Sequence, residues 1–516
     1  MKNRDDVFAP TPSTAALRAL LVIAGGEKLV AATGDFTMAF LHVMLKEKIF
    51  VWPPGVCTTR AGKVWMLKRA LYGMRIAPKL FSMLLASVLK DYGMEQSLTE
   101  PTVYHRGKLR LLVHVDDPLA VGPQDEINKL FNHLEKMMQF NRGETISSEK
   151  WTRFLGKEYR RTSQGFQARP AKKHIDELLE MSSLTKCKAA TTPVAATKPS
   201  TLEEKEGWHV VLEGDDHRQY RTLVGKLRWL TPERPDIAYA VMNVSRQLKG
   251  PTLCDMFAVK RIIRYLAGTQ DFAIELNAPA GEGKLQLDCY VDSDYAGDRE
   301  SRKSVSCCIM MLAGGLVYSH AKQQSIVATS SCEAEYYSLA AGLVETIYMM
   351  QLMKEISSRQ VIVGLHCDNS AARSLATRQG LGKCKHMDVK VLWVQQALLS
   401  FNVSVKQVKT DLNPADIGTK ALCGNRILFL NGLIGLRNQN EINLVENYEV
   451  NALELLEDMV EDKWFFAMHV AALYGTCSFL RDLRGCCGRR RRQVENQDTS
   501  SIPGMGEKKA HSLGLD

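Results

Sequence analysis

The chain has 516 residues, 45% hydrophobic and 24% charged, which excludes a disordered or low-complexity polypeptide and leaves room for two to four domains. A formal net charge of +10 favours a polyanionic partner, and 13 scattered cysteines without Cys-x-x-Cys or zinc-knuckle spacing point to free thiols. The first twenty residues, with Lys2, Arg4, Asp5 and Asp6, lack a signal-peptide core, and no apolar run is long enough for a stable membrane span, although 464–480 comes close.

In chain order, residues 14–24 carry Leu17, Leu20, Leu21 and Ala24 at helical spacing, which predicts an amphipathic helix. The run LVAATGDF at 29–36 reads as an apolar strand with Asp35 at its end and Phe40 five residues beyond. The segment KVWMLKRALYGMRIAPKLF is basic and aromatic; Lys63, Lys68, Arg69, Arg75 and Lys79 suit either a phosphate-tracking groove or a solvated helix face. In RLLVHVDDPLAVG, at 110–122, apolar runs flank Asp116 and Asp117, which predicts a β-hairpin with the acids at its tip. Two like charges about 4 Å apart repel by roughly 4 kcal/mol at an effective dielectric of about 20. A divalent cation would reverse that sign, and a solvated Asp-Asp turn is the plain alternative.

Residues 186–214, rich in Thr, Pro and Ala, read as a linker, and 216–276 as basic helices bearing Arg218, Arg221, Lys226, Arg228, Lys260, Arg261 and Arg264. From Lys284 the period changes to two: Leu285, Leu287, Cys289 and Val291 share one face, and Asp292 stands at the strand's end. Strands are expected at 304–312, 316–320 and 325–328. Ser330 and Glu333 have capping-box spacing at the start of a helix that carries Glu335 and runs to about residue 356. A strand at 361–367 ends at Asp368, with Asn369 and Ser370 capping the next helix. After a strand near 403–408, Asn413 and Pro414 make a helix start with Asp416 in its first turn. Beyond 422 come an acidic stretch at 441–462, the apolar 464–480, and Cys486–Cys487 before Arg489–Arg492, with the last twenty residues expected to be disordered.

The ordered pieces DFTMAFL at 35–41, ALYGMRIAP at 70–78 and HVDD at 114–117 resemble the palm of a copia-type retrotransposon reverse transcriptase, in which they read DVKNAFL, ALYGLKQAP and YVDD. The resemblance continues through FLGKEY at 154–159, YRTLVGKLRWLTPERPDIAY at 220–239 and KRIIRYLAGT at 260–269. YVDSDYAG, SSCEAEY, CDNSAA and NPADIGTK, at 290–297, 330–336, 367–372 and 413–420, are similar to the copia-type version of the RNase H fold. The implied fold class is α+β and α/β multidomain. A reverse-transcriptase palm and thumb with truncated fingers would occupy 7–185, a linker 186–215 and connecting helices 216–280. An RNase H-like mixed sheet with flanking helices would occupy 284–422, followed by a tail of unknown role at 423–516.

By that resemblance, Asp35, Asp116 and Asp117 would hold two Mg²⁺ ions, Mn²⁺ being the alternative, for RNA-directed DNA synthesis, and Phe40 would crowd the nucleotide's 2′ position. Asp292, Glu335, Asp368 and Asp416 would hold a second pair for hydrolysis of the RNA strand of an RNA–DNA hybrid. His386 stays outside the catalytic set. Implied partners are RNA template, DNA primer, hybrid and deoxynucleotides, in an intracellular setting such as a cytoplasmic particle or the nucleus. Three departures point to an impaired polymerase. His114 replaces the motif's tyrosine, Pro118 follows the acids, and the chain starts near FAPTP at 8–12, after the family's fingers region. The rival reading is an inactive nucleic-acid-binding remnant.

Overall fold

Helix α1 (Thr14–Gly26) lies where three sheets meet in this computed structural model, which describes residues 7–54, 56, 62–194, 209–279, 283–380 and 385–439. The stretches expected at 441–462, 464–480 and 489–492 lie outside the described residues. Ser13 caps α1 by accepting from the Ala16 amide, 3.0 Å away. The helix is buried on all sides from Ala15 to Gly26, not along one stripe as the Leu17, Leu20, Leu21, Ala24 spacing suggested. The reason is its composition: TAALRALLVIAGG holds one charged residue, so no polar face exists to turn toward water. That residue, Arg18, is 1% exposed and donates to Glu233 Oε1 at 2.9 Å, and Lys157 Nζ reaches the same oxygen at 2.6 Å. A buried guanidinium is tolerated only when paired in this way.

The first sheet begins with β1 (Val30–Phe36), followed by a 3₁₀ turn (Ala39–His42). A separate two-stranded pair, β2 (Met44–Val51) and β3 (Trp65–Arg69), leads through a turn into α2 (Ala77–Asp91). β4 (Glu95–Gln96), β5 (Val103–Arg106), β6 (Leu109–His114), β7 (Asp117–Gly122), α3 (Gln124–Met137) and β8 (Phe140–Thr145) complete it. Its strand order is β4-β5-β6-β7-β1-β8. Alternation sorts the side chains: Leu111 and Ala120 face a core with Phe81, Leu130 and Phe131 of α2 and α3, while Leu112, Leu119 and Val121 join the core around α1.

The second sheet is antiparallel, from β9 (Thr152–Phe154), β10 (Lys157–Arg161) and β11 (Gly165–Pro170). The chain then forms α4 (Lys172–Met181), α5 (Gly214–Leu230), α6 (Ala238–Arg246) and α7 (Leu253–Gly268) around their own core, with Thr252 and Asp255 making a reciprocal capping box on α7. The expected helical stretch 216–276 ends instead in a strand, β12 (Phe272–Asn277). FAIELN is apolar and buried at Phe272, Ala273, Ile274 and Leu276, and β11 offers it an edge to pair with.

The third sheet comprises β13 (Leu285–Ser293), β14 (Val305–Leu312) and β15 (Gly315–Gln323), antiparallel. After α8 (Ser331–Ile356) come β16 (Val361–Cys367), α9 (Ser370–Thr377), α10 (Asp388–Ser400) and β17 (Ser404–Gln407), with β13, β16 and β17 mutually parallel. The order is β15-β14-β13-β16-β17. The strand expected at 325–328 is a loop. Ile326 and Val327 are exposed, and no neighbouring edge pairs with them. A 3₁₀ turn (Pro414–Gly418) and α11 (Gly424–Leu433) lead to β18 (Leu436–Asn438), which returns to pair with β12. The far end of α8 is fastened to the first sheet. Glu355 accepts from the Leu98 and Thr99 amides at 3.0 and 3.2 Å, and Tyr348 donates to Glu100 at 2.7 Å.

Because α1 packs on all three sheets, Leu20→Ala, which removes a fully buried side chain from it, should cost about 2–5 kcal/mol. Urea titration followed by tryptophan fluorescence is expected to show a lowered midpoint.

Candidate active site

Four acids gather at the carboxyl ends of β13 and β16. Asp292 is the penultimate residue of β13, and Asp368 directly follows β16. Glu335 lies in the second turn of α8, and Asp416 in the 3₁₀ turn capped by Asn413, whose side chain accepts from the Ala415 amide. Asn413 also donates to the Val291 carbonyl at 3.0 Å, which ties that turn to β13 beside Asp292. Ser338 of α8 donates to the Asp292 carbonyl at 2.7 Å, and Arg373 grips the Cys367 and Asp368 carbonyls at 2.7 and 2.9 Å. Each acid is therefore fixed by backbone geometry before any ligand binds.

Their electrostatics show the crowding directly. Burial pushes the Asp292 carboxyl up to about 6, with Asp416 and Asp368 adding to the rise and Lys420 and Thr419 opposing it. Burial pushes Glu335 up to about 9, reinforced by Asp292 and Asp368. Lys420 Nζ bridges Asp292 and Asp416 at 3.6 and 2.5 Å, and Arg426 reaches Asp416 at 3.0 Å. Four converging carboxylates, with Asp292 and Glu335 held above the usual carboxylate range, suit a hard divalent cation. Among the described residues, one set of three Asp, Glu, His or Cys side chains has its ligand atoms all within 4.8 Å of one another: Glu335, Cys367 and Asp368.

The first sheet carries Asp35, Asp116 and Asp117. The β6–β7 hairpin turns through Val115 and Asp116, and Asp117 is the first residue of β7. Val115 adopts a positive φ of 57°, which a β-branched residue holds only under constraint, at a cost of order 1–3 kcal/mol. The constraint is a hydrogen bond from the Phe36 amide to the Asp116 carbonyl, 2.8 Å, which also brings Asp35 of β1 beside the hairpin tip. Asp117 is raised by burial, then by Asp116 and Asp35, and lowered by His114. Thr37 donates to Asp35 at 3.3 Å. Gly34 is required next to Asp35, because a Cβ there would come within 2.3 Å of the Phe140 ring. Phe40 is half-buried against Tyr72, ring centroids 4.6 Å apart, with Phe81 at 6.3 Å. Pro118 is the second residue of β7, opposite Val113, a position near a strand start where its missing N–H is tolerated.

Several contributors were not picked out from sequence. Lys420 lies four residues after Asp416, a spacing that could have flagged it. Cys367 immediately precedes Asp368, and Arg426 lies beyond the last recognisable motif. The Ser330–Glu333 capping box is only half formed. Ser330 accepts from the Glu333 amide, but the Glu333 carboxylate turns to the Thr329 amide at 2.7 Å and to His386 at 3.4 Å.

Residues 2–196 match the family model described as reverse transcriptase (RNA-dependent DNA polymerase). The chain is 30% identical over 455 residues to the retrovirus-related Pol polyprotein from transposon TNT 1-94 of Nicotiana tabacum, covering 84% of this chain and 33% of that one. It is also 30% identical over 425 residues to the Pol polyprotein from transposon RE1 of Arabidopsis thaliana, covering 81% and 28%. Over most of its length the chain is homologous to Pol polyproteins of copia-type transposons. It spans about a third of the length of these relatives. The family model takes in Asp35, Phe40, Asp116 and Asp117, whereas the four-acid cluster lies in the part matched by the Pol relatives alone. A solved RNase H domain from Mycobacterium tuberculosis is similar at 15% identity over 29% of this chain and 98% of that one, with a TM-score of 0.20, too slight to carry weight.

The weakened acidity of Asp292 has a sign that can be checked. A carboxyl raised in the folded state adds stability below its unfolded value, and that stability is lost as pH climbs toward about 6. Two units correspond to about 3 kcal/mol. In metal-free buffer, Asp292→Asn should therefore gain on the unaltered chain between pH 4 and 7, read as a widening difference in Tm.

Proposed function

We propose that this chain is a retrotransposon Pol segment whose four-acid cluster hydrolyses the RNA strand of RNA–DNA hybrids, and whose Asp35, Asp116 and Asp117 serve RNA-directed DNA synthesis. The observation that carries the reading is the gathering of Asp292, Glu335, Asp368 and Asp416 at the strand ends of one mixed sheet, where burial and the neighbouring acids raise Asp292 and Glu335. Two Mg²⁺ ions bound there would activate the attacking water and stabilise the leaving 3′ oxygen.

The chain's own residues supply the rest. Asp292 and Asp368, at the ends of adjacent parallel strands, form the rigid side of the site, and Glu335 and Asp416 close it from a helix and a turn. Lys420 neutralises Asp292 and Asp416 and would have to yield part of that role to a cation. In the polymerase reading, the hairpin and β1 present Asp116, Asp117 and Asp35 at one edge, and Phe40, wedged against Tyr72, would face the sugar of an incoming deoxynucleotide. RNA template and DNA primer are the partners that this reading implies, in an intracellular particle or nucleus.

A second reading, a non-catalytic nucleic-acid-binding remnant, is favoured by one observation: Lys420 and Arg426 already satisfy both Asp416 oxygens. Incubating the chain with Mg²⁺ and a labelled hybrid separates the two. RNA cleavage is expected, and Asp292→Asn or Asp368→Asn should lower its rate by more than the roughly 10–100-fold that outer-shell changes cost. Binding without cleavage would establish the remnant. Primer extension that is lost in Asp116→Asn would support the polymerase assignment.

A further inference from the structure

Cys367 ends β16 with its strand held on both sides, paired in parallel with Val291 of β13 and Gln407 of β17. Its sulfur faces two oxygen acceptors, Glu335 Oε2 at 4.0 Å and the Asn369 carbonyl at 3.8 Å, with a single proton to offer them. The Asp368 carboxylate completes a group whose ligand atoms all lie within 4.8 Å, one of them sulfur. Glu335 is oriented by the Ser293 amide at 3.3 Å, and the Asp368 backbone is gripped by Arg373. The donors therefore come from two elements that cannot move far independently.

We propose that Glu335, Cys367 and Asp368 form a mixed oxygen–sulfur site for a thiophilic divalent cation of the zinc or cadmium kind, and that its occupation blocks the hydrolytic use of Glu335 and Asp368. The blocking rests on the function proposed above; the binding does not. Hard Mg²⁺ has no use for sulfur, whereas Zn²⁺ binds thiolate and carboxylate together, at about 2.3 and 2.0–2.2 Å. A tetrahedral ion with those bond lengths has a sulfur–oxygen edge of about 3.6 Å. The observed 4.0 Å needs only a small contraction. On binding, the thiol's proton and the one carried by the Glu335 carboxyl pass to solvent and the freed lone pairs form the bonds, leaving two carboxylates and a thiolate around the dication. At a ligand set that includes a thiolate, zinc binds far more tightly than hard Mg²⁺, so low concentrations would suffice.

The test uses the full chain, stripped of metal and titrated with CdCl₂ while the ultraviolet sulfur-to-cadmium charge-transfer band is followed. The unaltered chain should show one more high-affinity equivalent with that band than either Cys367→Ser or Cys367→Ala, and Glu335→Gln should weaken that equivalent about tenfold. A cadmium-soaked crystal of the unaltered chain should place an anomalous peak within bonding distance of the Cys367 sulfur, a result independent of how the variants fold. Equal titrations in all four chains, or a soaked crystal without that peak, would overturn the proposal. In the Mg²⁺-dependent cleavage assay, half-inhibition by Zn²⁺ should need at least about ten times more metal in Cys367→Ala. If no hybrid is cleaved at all while the cadmium results hold, the hydrolytic function falls and the site stands.

Discussion

The burial of α1 is the constraint on which the arrangement of the described chain depends. A thirteen-residue helix with no solvated face must be covered on every side, and the three sheets supply that cover. The cover is close. A Cβ on Gly25 would come 2.9 Å from the Gly165 Cα, and one on Gly315 would come 2.8 Å from Val22. The same burial forces Arg18 into partnership with Glu233, in the turn between α5 and α6, and draws in Lys157 from the second sheet. One charged side chain in an otherwise apolar helix thus connects segments more than two hundred residues apart.

The two groups of acids are built to different electrostatic specifications. Asp35 is exposed and Asp116 and Asp117 half-exposed at a hairpin tip, where water screens their repulsion. Asp292, Glu335 and Asp416 are buried, so their repulsion is met by Lys420, Arg426 and proton uptake. The exposed group leans on backbone constraint at Val115 to stay in place, the buried group on side-chain bonds from Asn413, Ser338 and Arg373. Both solutions bring carboxylates together at the ends of interior strands of a sheet.

Much of this was legible in the residues because the local signals were strong. β13, α8 and β16 follow from a clear change of period, a serine cap and an apolar run, and their bounds lie within a residue or two of expectation. The hairpin around Asp116 and Asp117 follows from two apolar runs about a polar pair. What could not be read depended on partners distant in sequence. β12 is a strand because it pairs with β11, whereas 325–328 pairs with no strand and stays a loop. The all-round burial of α1 was hidden because leucine spacing reports a face only when the other face is polar. Lys420 and Arg426 matter through contacts that exist once the Asp416 turn has docked on β13.

The shared helix also governs how this protein could be taken apart. Excising the third sheet with its helices would bare Gly315 and the surface of β15 against which α1 packs, and would strip the far end of α8 of the Leu98–Thr99 amides that Glu355 binds. The first sheet alone would lose its cover over Leu112, Leu119 and Val121. Neither piece would be a natural unit for separate production, because each would carry into solution an oily seam that the intact chain keeps dry.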